Sequence, residues 1–313
     1  MAFNLKGRSL LSLRDYSPQE IRYLLDVSKQ VKAERKAGVI HQRFLGKTIA
    51  LIFEKRSTRT RCAFETAFGE EGGHPVFLST DDIQLGGKES IEDTARVLGR
   101  MFDAIEFRGF KQETVDILAK YSGVPVFNGL TDEYHPTQVL ADLMTIEEEF
   151  GSIKGRKLVF VGDGRNNMAN TLAIGCAKMG MYYVINSPKE LWPSQEFIDE
   201  IKQIAIENGG NFEVTSNPGE GIDGADAVYT DVWASMGEEA KAKEREALLR
   251  PFQVNDDLMK LTGRSDTIFL HCLPAIKGQE VTFEVIEGKQ SRVWDEAENR
   301  KHTIKAVMIA TML

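Results

Sequence analysis

Short apolar, β-branched runs alternate along this chain with stretches whose apolar residues recur at helical spacing. No other feature constrains the fold as much. Thr48-Ile49-Ala50-Leu51-Ile52-Phe53 is apolar at nearly every position after Thr48, as a parallel strand covered on both faces would be. Similar runs stand at 76–78, 104–107 and 124–127, then again at 157–162, 182–186, 212–215, 227–230 and 267–270. Helical segments fill the intervals. Ser17-Pro18-Gln19-Glu20 opens the first with a capping box and a proline at the first helical position, and Gly38 closes it. Others are expected over 91–102, 114–121, 136–150, 238–249 and 296–312. A strand–helix rhythm used twice predicts an α/β chain with two doubly wound parallel-sheet domains, joined near the glycine-bounded stretch Gly151–Gly155.

The 313 residues suffice for two domains with separate cores. A net charge of −8 disfavours a general nucleic-acid partner, so any basic site must be a local pocket. Three widely spaced cysteines, Cys62, Cys176 and Cys272, argue against a disulfide framework or a cysteine zinc site and suit a reducing cytoplasm. No signal-peptide core and no membrane-length apolar run is legible, so a soluble cytoplasmic protein is expected.

Ligands of open α/β sheets sit beyond the carboxyl ends of the strands, so the strand ends carry the chemistry. After Phe53 comes Glu54-Lys55-Arg56-Ser57-Thr58-Arg59-Thr60-Arg61, which opens a helix with Ser57 or Thr58 as N-cap. A helix start beside hydroxyls and guanidiniums suits a phosphate or similar oxyanion. Lys55, Arg56, Arg59 and Arg61 would also repel one another if no anion were present. Further strand ends carry Arg108, His135-Pro136-Thr137-Gln138, Asn166-Asn167, Asp231 to Met236, and His271-Cys272-Leu273-Pro274. The first-half set suits phosphate plus a carbonyl and the second-half set an amine, which suggests group transfer in a cleft between the domains. Taken singly, His135 could be only a helix cap and Cys272 an inert thiol. Gly162-x-Gly164 hints at a dinucleotide fold, but asparagine stands at the third glycine position, 167.

Ser57-Thr-Arg-Thr-Arg61 and His135-Pro-Thr-Gln138 together resemble the carbamoyl-phosphate signatures of the aspartate/ornithine carbamoyltransferase family. Asp231-Val-Trp-x-Ser235-Met236-Gly237 and His271-Cys-Leu-Pro274 resemble its ornithine branch. The resemblance implies transfer of a carbamoyl group from carbamoyl phosphate to the side-chain amine of L-ornithine, giving citrulline and phosphate in arginine biosynthesis. It implies that Ser57, Thr58, Arg59 and Thr60 hold the phosphate, and that His135 and Gln138 bind the carbamoyl part. Arg108, Gln84, Cys272, Leu273 and Arg300 would complete that site, and Asn167, Asp231, Ser235 and Met236 would hold ornithine. Arg108, Cys272, Asp231 and His135 would act on the reacting groups. It further implies a carbamoyl-phosphate domain over 1–147, an ornithine domain over 148–289, and a C-terminal helix, 290–313, returning to the first. Gln84's loop would reach a neighbouring subunit's site in a homotrimer or a multiple of one. No metal or other cofactor is expected. The readings left open are a carbamoyltransferase acting on putrescine, acetylornithine or aspartate, a nicotinamide-binding dehydrogenase, and a non-catalytic relative.

Overall fold

Thr48–Phe53 is strand β1, buried throughout after Thr48. The computed structural model describes residues 3–79, 83, 85, 87–234 and 242–313. Around β1 the chain builds a parallel sheet from β2 (His74–Ser79), β3 (Ala104–Arg108) and β4 (Val126–Leu130), in the order β2-β1-β3-β4. The helices of this half are α1 (Pro18–Lys36), α2 (Thr58–Gly69), α3 (Ile91–Met101), α4 (Gln112–Ser122) and α5 (Pro136–Phe150). The capping box of α1 is formed: Ser17 Oγ accepts from the Glu20 N–H at 3.2 Å, and Glu20 Oε2 accepts from the Ser17 N–H at 2.8 Å.

The second half repeats the plan with β5 (Lys157–Val161), α6 (Asn167–Lys178), β6 (Tyr182–Asn186), α7 (Gln195–Glu207), β7 (Asn211–Thr215), β8 (Ala227–Tyr229) and α8 (Ala242–Leu249). It continues through α9 (Asp256–Lys260), β9 (Ile268–Leu270), α10 (Phe283–Ile286) and α11 (Val293–Met312). Its parallel five-stranded sheet runs β7-β6-β5-β8-β9. Each sheet therefore has one point where the chain, having added strands on one side, crosses to the other. These points lie between β1 and β3, and between β5 and β8.

Two compact units result, Met1–Met144 with Glu298–Leu313, and Thr145–Ala297. The divisions fall inside α5 and α11, not at Gly151–Gly155, which lies wholly in the second unit. Gly151, with a φ of 75°, follows the last residue of α5, so the glycines mark the end of a helix rather than the seam. Other boundaries moved for local reasons. β2 is longer than its apolar core because an edge strand tolerates Pro75, which has no N–H to donate. β4 runs on through Asn128 and Gly129, residues of low strand propensity. α8 is described only from Ala242, and the remainder of the helix expected over 238–249 lies outside the described residues. Among the described residues, no helix is long and apolar enough to cross a membrane.

One apolar core cluster of the first unit gathers Ala50, Ile52, Ile105, Phe107 and Val126 from one face of the sheet and Ala95, Leu98, Val115 and Leu118 from α3 and α4. That of the second unit includes Val159, Val161, Val184, Val228 and Phe269. α3 and α4 approach so closely that a Cβ on Gly99 would lie 1.8 Å from the Ser122 carbonyl oxygen. Gly99→Ala must push the helices apart, and we predict a loss of about 2–3 kcal/mol in urea unfolding. A midpoint equal to that of the parent protein would contradict this packing.

Candidate active site

In the first unit, the strands flanking the crossing point deliver the polar groups. β1 ends into the turn before α2, and β3 ends at Arg108. Ser57 is the N-cap of α2, its Oγ accepting from the Thr60 N–H at 3.1 Å. That leaves first-turn N–H groups without intrahelical acceptors, at the positive end of the helix dipole. Thr60 is fully buried, and its hydroxyl oxygen accepts from Arg108 Nη1 at 3.2 Å and from Arg300 Nη2 at 3.1 Å. Two donated hydrogens fill the oxygen's lone pairs, so the Thr60 O–H is left to donate. Arg300, 2% exposed, also donates to Gln138 Oε1 at 2.7 Å, while Gln138 Nε2 donates to Asp142 Oδ1 at 2.9 Å. Asp142 thereby fixes which way the Gln138 amide faces.

His135 starts α5, its carbonyl accepting from the Gln138 N–H at 3.1 Å, and its ring is buried. Burial, then Arg300, Arg108 and Arg59 in turn, hold its imidazole well below the usual range. A ring kept neutral can donate a hydrogen bond to a carbonyl without adding charge.

Two of the cations read from the sequence turn elsewhere. Arg61 pairs with Glu65 at 2.9 Å and lies over the Phe77 ring, and Lys55 pairs with Asp132 and covers the Phe110 ring. The expected mutual repulsion is therefore partly met by two carboxylates, Glu65 one helical turn from Arg61 and Asp132 far from Lys55 in sequence. Arg59, Arg108 and Arg300 remain as the cationic set around His135.

In the second unit the crossing point lies between β5 and β8, whose ends carry Asn166 and Asp231. Asn166 caps α6 through its Oδ1, which accepts from the Ala169 N–H at 2.8 Å, and its Nδ2 donates to Asp231 Oδ2 at 3.2 Å. Asn167 is the first residue of α6 and half-buried. Asp231 Oδ1 accepts from the Val232 N–H at 2.8 Å and from Cys272 Sγ at 3.2 Å. Burial raises the Asp231 carboxyl above its ordinary range, against the pull of His271 and of the bonds from Cys272 and Val232. Such a carboxyl gains from a cation that replaces its lost water.

Cys272 and Leu273 follow β9 on a braced turn. The Leu273 N–H donates to His271 Nδ1 at 2.8 Å, which places the ring hydrogen on Nε2, 3.2 Å from Glu280 Oε1. The His271 N–H donates to Glu296 Oε2 at 2.9 Å. Leu273 takes a left-handed φ of 57°, a conformation costing about 1–3 kcal/mol that these bonds offset. Asp231, His271 and Cys272 each bring a potential ligand atom to within 4.8 Å of the others. That grouping was not legible from spacing. With both His271 nitrogens engaged, it reads as a hydrogen-bonded cluster.

The structure thus brings Thr60, Arg108, Gln138 and Arg300 into one network with His135 against it, and Asp231 and Cys272 into another. Gln84, Ser235 and Met236 lie outside the described residues. Thr137, Asp142, Glu280 and Glu296 were not chosen from sequence, and Asn166, named there beside Asn167, is the residue that caps α6. Thr137 sat inside a motif already noted, and the two glutamates carried no local signal.

The family profile described as "Aspartate/ornithine carbamoyltransferase, carbamoyl-P binding domain" matches residues 8–148, and the "Asp/Orn binding domain" profile matches 154–311. An ornithine carbamoyltransferase of Caldanaerobacter subterraneus subsp. tengcongensis is 88% identical over 313 residues, covering all of both chains. One of Pseudothermotoga lettingae is 72% identical over the same span. The solved structure of ornithine carbamoyltransferase from Pyrococcus furiosus superposes with a TM-score of 0.96 at 49% identity, covering 99% of each chain. Motifs, parallel sheets and full-length similarity agree: the chain belongs to the aspartate/ornithine carbamoyltransferase family.

Proposed function

We propose that the protein transfers the carbamoyl group of carbamoyl phosphate to the side-chain amine of L-ornithine, forming citrulline and phosphate, and serves arginine biosynthesis. One observation carries the reading of the first ligand. A buried threonine hydroxyl, held by two guanidiniums and left to donate, stands beside a neutral histidine and an open helix start. In this reading Ser57, Thr58, Arg59 and Thr60 take the phosphate oxygens with Arg108 and Arg300. Thr60, Arg108, His135 and Gln138 address the carbamoyl group. Asp231 and Asn167 take ornithine's amino groups, and Cys272 and Leu273 flank the reacting amine. Gln84, Ser235 and Met236 belong to the same proposal through their motifs.

The chemistry follows from these groups. The amine titrates near about 10.4 in water, so presenting it neutral costs roughly 4–5 kcal/mol at neutral pH. A desolvated Asp231 attracts the ammonium form and orients it. Once neutral, the nitrogen attacks the carbonyl carbon and the carbon–oxygen bond to phosphate breaks. The departing phosphate takes the proton. Guanidiniums and hydroxyls aimed at the carbonyl and phosphate oxygens stabilise the charge that grows there.

Incubating the protein with carbamoyl phosphate and each amine in turn should yield citrulline from ornithine in large excess over the products from putrescine, acetylornithine or aspartate. Preference for any of those three would sink the ornithine assignment. Arg300→Lys keeps a charge but loses the two-pronged grip on Gln138 and Thr60. Turnover should fall about 10²–10³-fold, as for loss of one preorganised donor. Unaltered kinetics would remove Arg300 from the site. Family membership also supports a homotrimer, or a multiple of one, in the cytoplasm. Sedimentation of the protein recovered from the soluble cell fraction should give a trimeric mass or a multiple, and a monomer, or recovery with membranes, would contradict it.

A further inference from the structure

Glu106 occupies the middle of β3, two residues before Arg108, and is fully buried. A glutamate in the middle of a fully buried parallel strand needs a reason. Among the described residues, neither of its carboxyl oxygens has a hydrogen-bond partner. Its register partners are Leu51 of β1 and Phe127 of β4. A Cβ on Gly129 would lie 1.9 Å from Glu106 Oε1 and 3.0 Å from Thr60 Cγ2. The carboxyl therefore rests against bare glycine backbone, beside the threonine whose hydroxyl receives Arg108 and Arg300. These two guanidiniums are the charged groups that face it, one from its own strand and one from α11. From the strands on either side, Leu51, Phe127 and Gly129 bring no charge.

A carboxylate in this place would be a buried charge without a donor, and it would compete with an incoming anion for both guanidiniums. A neutral acid does neither. Burial pushes the carboxyl well above the usual range although Arg108 and Arg300 pull the other way. We propose that Glu106 is a positioning residue of the anion site: it stays protonated while the anion is bound, leaving the charge of Arg108 and Arg300 to the ligand, and its ionisation at alkaline pH weakens anion binding. The proposal rests on the carbamoyl-phosphate reading of this site. The sign follows from linkage. Proton and anion favour one another, so once Glu106 ionises, binding must take a proton up and affinity falls by up to about tenfold per pH unit.

The test is calorimetric titration of the full chain with inorganic phosphate from about pH 7.5 to about pH 9.5, in buffers of different ionisation heat. For the parent protein, affinity should fall at least about fivefold across that range, with uptake approaching one proton at its upper end. Glu106→Gln, which is permanently neutral, should lose no more than about twofold and show no such uptake, and it also corrects for the ligand's own titration. A merely structural glutamate would change the unfolding midpoint of the variant but not this difference in proton uptake. Identical pH dependence in the two proteins overturns the proposal. So does absence of proton uptake by the parent at every pH, a result that needs no folded variant. A parent protein that binds no phosphate at any pH would overturn the carbamoyl-phosphate reading itself, and the proposal with it.

Discussion

The parallel pairing of β1 with strands on both sides is the constraint on which the rest of the first unit depends. Phe53 lies opposite Arg108 in the β1–β3 register, so the chain leaves β1 toward Ser57 beside the point where β3 delivers its arginine. A one-residue slip would turn Arg108 to the other face of the sheet, and the buried sides of both strands oppose such a slip. The second unit repeats the device with β5 and β8, whose adjacent ends carry Asn166 and Asp231. Parallel sheets need both faces covered, and the covering helices begin where the ligands are addressed.

Within that frame, electrostatics assign the roles. In the proposed anion set Thr60, Arg108 and Arg300 are buried, and the titratable groups beside them are pushed toward their neutral forms. Burial and the arginines hold the His135 imidazole well below its usual range, and burial pushes the Glu106 carboxyl well above its own. The proposed amine set is the reverse case, a desolvated carboxyl held by amide and thiol donors with no cation bonded to it among the described residues. On the proposed reading, opposite charge is kept for the ligands instead of being cancelled inside the protein.

Much of this was legible in the sequence because it is local. β1 and β6 have the limits that their apolar runs suggested, and Ser17 and Ser57 cap helices where hydroxyls precede helical spacing. What could not be read depends on partners distant in sequence. Lys55 belonged to the suspected anion set by proximity and is instead paired with Asp132, whereas the partner of Arg61, Glu65, stands one helical turn away. Glu106, Glu280 and Glu296 drew no notice because a glutamate's burial depends on how distant strands and helices close over it. The unit boundaries inside α5 and α11 were equally silent, since a continuous helix shows no break in composition where its packing partner changes.

The Thr60–Arg300 bond joins residues 240 positions apart, and Glu298–Leu313 belong to the first unit. During synthesis the first unit therefore emerges early but must wait, its anion site open and lacking its last guanidinium, until nearly the whole second unit has left the ribosome. The long loop to be closed delays that final docking without adding much to its entropic cost. On the proposed reading, catalytic competence arrives late and all at once: a nascent or truncated chain holds Thr60 and Arg108 but not the Arg300 bond to Thr60.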